Sequence, residues 1–204
     1  MIGIVDYGLG NIRAFLTIYQ RLNTPATALA APAQFDDVSH LILPGVGAFD
    51  WAMHRLEESG MLMALEHAVT VNRIPVLGVC VGMQIMASRS DEGSVPGLSW
   101  IEGDVRKLSH LEGTEGLALP HMGWNDVEAI DNSTLFSGLG NESRFYFLYS
   151  YYFSPVDSMS TLAWTRYGDT FASSVHRDNI YGVQFHPEKS HHWGITLLRN
   201  FSEL

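Results

Sequence analysis

The sequence predicts an α/β fold with a mostly parallel central sheet flanked by helices and additional strands in the C-terminal half. Three observations predict it. Up to about residue 90, short apolar, β-branched runs alternate with segments whose apolar residues recur at helical spacing, as in parallel strands joined by helical crossovers. From Leu98 onward, strand-like runs follow one another with few helices between them. The 204 residues hold no internal repeat, low-complexity tract or Pro/Ser-rich linker, so one domain spanning 1–204 is the expected unit.

Met1 to Asp6, "MIGIVD", is an apolar run that ends at glycines and reads as the first strand. Asn11 to Leu22 follows as a helix because Ile12, Phe15, Leu16, Tyr19 and Leu22 recur at helical spacing. His40 to Leu43 is a second buried run, stopped by Pro44-Gly45-Val46-Gly47. Ala48 to Ala68 carries Phe49, Met53, Leu56, Leu62, Leu65 and Ala68 with a break at Ser59-Gly60, which predicts helical segments around a bend. Pro75 to Val79 is a third strand, and Met83 to Ala87 opens the next helix. Leu98–Leu108, Phe145–Phe153, Thr161–Tyr167, Thr170–His176 and Ile180–Gln184 read as strands. A helix from Gly194 to Phe201, with Leu197, Leu198 and Phe201 apolar, closes the fold.

Composition narrows the partners. A formal net charge of −10 disfavours nucleic acid, whose phosphates need Lys and Arg, and leaves small molecules or proteins. No run approaches the roughly 18 apolar residues of a membrane span, so no membrane partner is expected. The single cysteine, Cys80, excludes an internal disulfide, and no export signal is visible, so a reducing cytoplasm is the expected location.

That cysteine stands in "IPVLGVCVGMQ", Ile74 to Gln84, where Gly78-Val79-Cys80-Val81-Gly82 has the form of a G-x-S-x-G nucleophile elbow with sulfur in place of oxygen. Small neighbours let a strained strand-to-helix turn project the nucleophile outward, and a helix starting after Cys80 points its partly positive end at the sulfur. A buried structural cysteine is the competing reading, and the elbow alone does not decide between them. "GVQFHPE" supplies a base in His186 at a strand end, and beyond Pro187 a carboxylate, Glu188, placed to fix its tautomer. Gly45, Val46 and Gly47, with Val81 next to the nucleophile, are candidate backbone donors for an oxyanion. A plain strand-ending turn would explain the same glycines.

Two weaker signals point elsewhere. "DYGLGN", Asp6 to Asn11, has two glycines of a dinucleotide loop but Arg13 in place of the third, so a tight strand-to-helix turn is preferred. His186, His191 and His192 form no ligand set without a further carboxylate or thiol, so "SHHWG" reads as an exposed loop and no metal is expected. His40, His54, His67, His110 and His176 read as surface or capping residues.

"LPGVGAF", "GVCVGMQ" and "GVQFHPEKS", in that order, resemble the class I (triad) glutamine amidotransferases along essentially the whole chain. The resemblance implies a flavodoxin-like core and no cofactor. It implies that Cys80 attacks the side-chain amide of L-glutamine, His186 moves protons, Glu188 orients His186, and Gly47 and Val81 line the oxyanion hole. By the same resemblance Gln84, Glu92, Ser150 and Tyr151 hold the α-amino and α-carboxylate groups of glutamine. His121, Met122, Trp124, Asn125 and Lys189 then lie at a partner interface where ammonia passes through a channel.

Within the family, "DYGLGN", "PGVGAFDWAM" and "LPHMGWN" are similar to a branch that works with a separate cyclase. The implied partner is the cyclase subunit of imidazole glycerol phosphate synthase. The stretch from Ala87 to Ile101 is more similar to a paralogous branch that feeds ammonia to an ATP-dependent sugar amidotransferase for surface polysaccharide. Tyr149 and Val81 depart from the usual histidine and leucine of the first branch. A cysteine peptidase of similar fold and a non-catalytic scaffold are the readings from other classes, and the intact set Cys80, His186 and Glu188 disfavours both.

Overall fold

In a computed structural model, residues 1–140 and 142–204 are described. The strands are β1 (Ile2–Val5), β2 (Ala26–Leu29), β3 (His40–Gly45), β4 (Val76–Cys80), β5 (Arg89–Ser90), β6 (Gly103–Lys107), β7 (His121–Asp126), β8 (Glu128–Ala129), β9 (Arg144–Tyr149), β10 (Tyr151–Pro155), β11 (Thr161–Tyr167), β12 (Asp169–Arg177) and β13 (Ile180–Val183). The helices are α1 (Ile12–Arg21), α2 (Phe49–Glu58), α3 (Leu62–Glu66), α4 (Val81–Gln84) and α5 (His191–Ser202). An eight-stranded sheet runs β2-β1-β3-β4-β13-β12-β11-β8, parallel from β2 to β13 and antiparallel beyond. Smaller sheets, β10-β6-β5 and β7-β9, come from the second half. The α/β class with extra C-terminal strands is therefore as predicted. No helix among the described residues is long and apolar enough to cross a membrane.

The core follows the apolar runs. β1 and β4 are buried at every position, as expected of central parallel strands. Helix α1 buries Phe15, Ile18 and Tyr19, and the Asn11 side chain accepts from the Ala14 N–H at 3.2 Å, which makes Asn11 the cap of this helix. The bend at Ser59-Gly60 is real, with Gly60 at φ +72° between α2 and α3.

Several boundaries differ from expectation, each for a local reason. β2 was not predicted, because "ATAL" on the sheet edge is half-buried and lacks a strong apolar pattern. The helix expected over Met83 to Ala87 is instead a single turn starting at Val81. The carbonyls of Ile85, Met86 and Ala87 accept from Leu98, Trp100 and Ser99, so they cannot continue a helix. That contact also keeps Leu98 to Glu102 out of the strand, which begins at Gly103. Phe145–Phe153 divides at Ser150 into β9 and β10, which belong to different sheets. Helix α5 begins three residues before Gly194, so His191 and His192 are exposed on its first turn and not in a loop.

Candidate active site

Cys80 is the last residue of β4, at φ 56° and ψ −114°, a backbone state that non-glycine residues rarely adopt. Its paired neighbour across the ladder is Gly45, the end of β3. The flanking glycines have a steric cause. A Cβ on Gly82 would lie 1.9 Å from the Leu43 carbonyl oxygen, one on Gly45 2.3 Å from the Gly82 nitrogen, and one on Gly78 2.6 Å from the Gly82 oxygen. The three glycines form the seam where α4 sits on β3 and β4. Because α4 is only one turn, its aligned peptides contribute less charge at the sulfur than a full helix would.

His186 follows β13. Its N–H donates to the Tyr146 carbonyl at 2.9 Å, and its own carbonyl accepts from Ser190 Oγ at 2.6 Å. Ser190 Oγ also accepts from the Tyr146 N–H at 3.0 Å, so the backbone around the imidazole is fastened to β9 at both ends. Nδ1 lies 2.9 Å from Glu188 Oε1, and the two side chains are 4% and 3% exposed. The carboxylate can only accept here, so Nδ1 carries a proton and Nε2 is left free on the side of Cys80. Burial works against the imidazolium, but the bonds to Cys80 and Glu188 and their charges outweigh it and raise the His186 pKa to about 10. Glu188 Oε2 is buried without a protein partner among the described residues, which leaves the carboxylate charge available to His186. Beside these two groups the histidine is biased toward its charged form, the form that can give a proton to a leaving group.

These groups border a cavity of about 250 Å³, lined by Val46, Gly47, Val81, Gln84, Glu92, Ser150, Tyr151 and Lys189 together with Cys80 and His186. A larger open groove of about 800 Å³ near residues 129–140 and the C-terminus holds none of them. A buried thiol on a strained turn, an oriented charged imidazole and a glycine turn at one cavity are the parts needed for acyl transfer. The model of the class-I glutamine amidotransferases matches residues 5–203.

The chain belongs to that family.

Among its relatives, the protein named imidazole glycerol phosphate synthase subunit HisH of Bdellovibrio bacteriovorus is 53% identical over 204 residues, covering 100% of both chains. One of the same name from Leptospira interrogans is 46% identical, again over 100% of both. A crystal structure of a glutamine amidotransferase superposes with a TM-score of 0.76 at 21% identity, covering 99% of this chain and 97% of its own.

Most site residues predicted for the amidotransferase converge on the cavity, and Gly45 and His121 lie beside it. Gly45 does not line it: the residue ends β3, and its lack of a side chain serves the packing of α4. His121 is not at the surface, because side chains alternate along β7 and residue 121 faces inward, whereas Met122 and Trp124 are 63% and 36% exposed. His121 stacks on Tyr167 at 3.8 Å, and its Nδ1 is 3.1 Å from the hydroxyl of Tyr149. That bond gives the unusual Tyr149 a structural role at the cavity wall. Asn125 is tied by Nδ2 to the Arg166 carbonyl at 2.9 Å, and the Lys189 ammonium lies 5.7 Å from the centre of the Tyr146 ring.

Burial holds the His121 pKa down at about 4, so the folded chain keeps it neutral where an unfolded chain would take up a proton. Unfolding therefore becomes easier as pH falls from the ordinary histidine range near 6.5 toward 4. In His121→Phe the urea midpoint is expected to depend less steeply on pH across that window, compared with the wild type titrated in parallel.

Sequence reasoning missed three supporting side chains. Tyr7 donates its hydroxyl to the Pro44 carbonyl at 2.7 Å, and Gly10 packs on the Pro44 ring, so "DYGLGN" supports the glycine turn. Asp50 accepts from the N–H groups of Ser94 and Val95 at 3.0 and 3.1 Å, while Glu92 Oε2 accepts from the Phe49 N–H at 2.8 Å. This reciprocal pair fastens the Glu92 loop to the start of α2, directly after Gly47. The third is Gln184, fully buried against Cys80. Its signal was present in "GVQFHPE", two residues before the histidine.

Proposed function

We propose that this amidotransferase is the glutaminase subunit of an imidazole glycerol phosphate synthase, acting as one domain over residues 1–204 in the cytoplasm and passing ammonia to the cyclase subunit. The observation that carries the chemistry is the buried Cys80–His186–Glu188 set at the head of the cavity. The name of the full-length relatives favours the cyclase over a sugar amidotransferase as the destination of the ammonia.

In this mechanism the Cys80 thiolate attacks the side-chain carbonyl carbon of L-glutamine. The N–H groups of Gly47 and Val81 receive the oxyanion. The tetrahedral intermediate collapses as the C–N bond breaks, and His186 gives its proton to the departing ammonia. His186, now neutral, takes a proton from water as the water attacks the thioester; glutamate leaves and the thiolate–imidazolium pair returns. Both Gln84 N–H groups are engaged within the protein, which leaves Oε1 as its acceptor for the substrate ammonium. The Glu92 carboxylate adds the opposite charge. Met122, Trp124, Asn125 and Lys189 are proposed to face the cyclase, with His121 behind them beside the ammonia channel.

A glutamine-like chloroketone should alkylate Cys80, with free L-glutamine protecting it. Labelling elsewhere or none, with the cyclase present, would refute the assignment. Asp50→Ala should loosen the Glu92 loop and raise the glutamine KM on the order of tenfold with kcat little changed, since one charge-assisted anchor is lost. Steady-state glutamate release in the complex measures this.

A further inference from the structure

We propose that Gln184 is a direct partner of the nucleophile: its side-chain N–H, fixed in direction by Gln84, is aimed at Cys80 Sγ and favours the thiolate. Gln184 is fully buried just beyond β13, with its backbone N–H donating to Ser173 at 2.9 Å. Its Nε2 lies 3.8 Å from Cys80 Sγ, and its Oε1 accepts from Gln84 Nε2 at 3.0 Å. Gln84 Nε2 also donates to the Tyr151 carbonyl at 2.7 Å.

The last contact sets the direction of the chain. A backbone carbonyl only accepts, so Gln84 must turn its NH₂ toward Tyr151 and Gln184 together. Gln184 must then present its oxygen to Gln84, and its own NH₂ is left facing the sulfur. On another side of Sγ lies the Leu148 carbonyl, also at 3.8 Å, which can bond only to a protonated thiol. The thiolate has Gln184 and His186 as donors, and an N–H bond to an anion is stronger than one to a neutral thiol.

Other titratable groups around Cys80 are Tyr7, whose hydroxyl is committed to Pro44, Glu188 behind His186, and Glu92, Tyr149, Tyr151 and Lys189 on the cavity wall. Among the described residues, Gln184 makes the donor hydrogen bond to the sulfur, and the neighbouring His186 interacts with it.

The inference rests on Cys80 being the nucleophile, but its test is separate from that of the reading itself. Cys80 is the only cysteine, so its alkylation by iodoacetamide can be followed across pH in the full chain without a partner. Gln184→Met should slow alkylation about tenfold at neutral pH, with the profile displaced to higher pH and the alkaline plateau unchanged. Gln184→Glu, which keeps the shape and brings a negative charge to the sulfur, should displace it further. Gln84→Met, which frees Gln184 to rotate, should move it the same way by less.

If the Gln184→Met and Gln184→Glu profiles superimpose on the wild type, Gln184 only fills space, even where glutamine turnover falls. If Gln184→Met fails to fold, Gln184→Glu and Gln84→Met decide by the same measurement. Failure of the nucleophile reading would show differently, as a wild-type chain that the glutamine chloroketone does not label.

Discussion

Cys80→Ala is expected to remove glutamine-dependent synthesis by the complex, by about 10⁴-fold or more, while synthesis from added ammonium salt continues. The split follows from where the sulfur acts. In the proposed mechanism it touches only the glutamine carbonyl, and ammonia supplied from outside bypasses that step. The fold should tolerate the change, because alanine keeps the Cβ and removes one atom from a site that borders a cavity. Melting within a few degrees of the wild type would show this. The decisive comparison is glutamate release against ammonium-driven product formation in the same preparation with the cyclase. Equal loss of both would mean that Cys80 supports assembly and not amide hydrolysis, and the proposed role would fall.

Most of the central sheet was legible because parallel strands buried on both faces must be apolar throughout, and "IGIV" and "VLGVC" are. What was not legible depends on partners distant in sequence. The edge strand β2 gains its place from pairing with β1, and α4 ends because residues 98–100 claim the carbonyls of Ile85 to Ala87 just beyond it. Neither can be read from periodicity. In the site, the convergence of Cys80, His186 and most of the lining residues was readable because each sits in a short motif whose chemistry is local. The burial of His121 was not legible because a motif does not say which face of a strand a residue takes; the pairing of β7 with β9 decides that. The steric demand at Gly45 was equally hidden, because it arises only where α4 sits on β3. Asp50 and Gln184 were missed because their purpose appears only once α2, the Glu92 loop and β13 are brought together.

Gly82→Ala should damage the enzyme more than its size suggests. Its backbone lies in the helical turn α4, where alanine is conformationally welcome and would by itself stabilise by up to about 1 kcal/mol. Space is what forbids it: the new Cβ would stand 1.9 Å from the Leu43 oxygen, 2.9 Å from the Leu43 carbonyl carbon and 3.2 Å from the Pro44 carbonyl carbon. All three are backbone atoms of β3, whose ladder to β4 runs through Leu43–Gly78, Pro44–Val79 and Gly45–Cys80. No side chain can rotate away, so either α4 lifts and carries the Val81 N–H with it, or the end of β3 moves and carries Val46 and Gly47. Each route shifts a proposed oxyanion donor relative to Cys80. Overpacking of this kind costs roughly 1–3 kcal/mol or more, and a misplaced donor lowers kcat on the order of 10²-fold. Gly140→Ala is the matched control, because nothing among the described residues lies within 4 Å of its added Cβ. Urea denaturation of both variants, with glutamine turnover in the complex, makes the comparison. A Gly82→Ala enzyme as stable and as fast as Gly140→Ala would show that the seam between α4 and β3 yields, and that tight packing there does not hold the oxyanion donors in place.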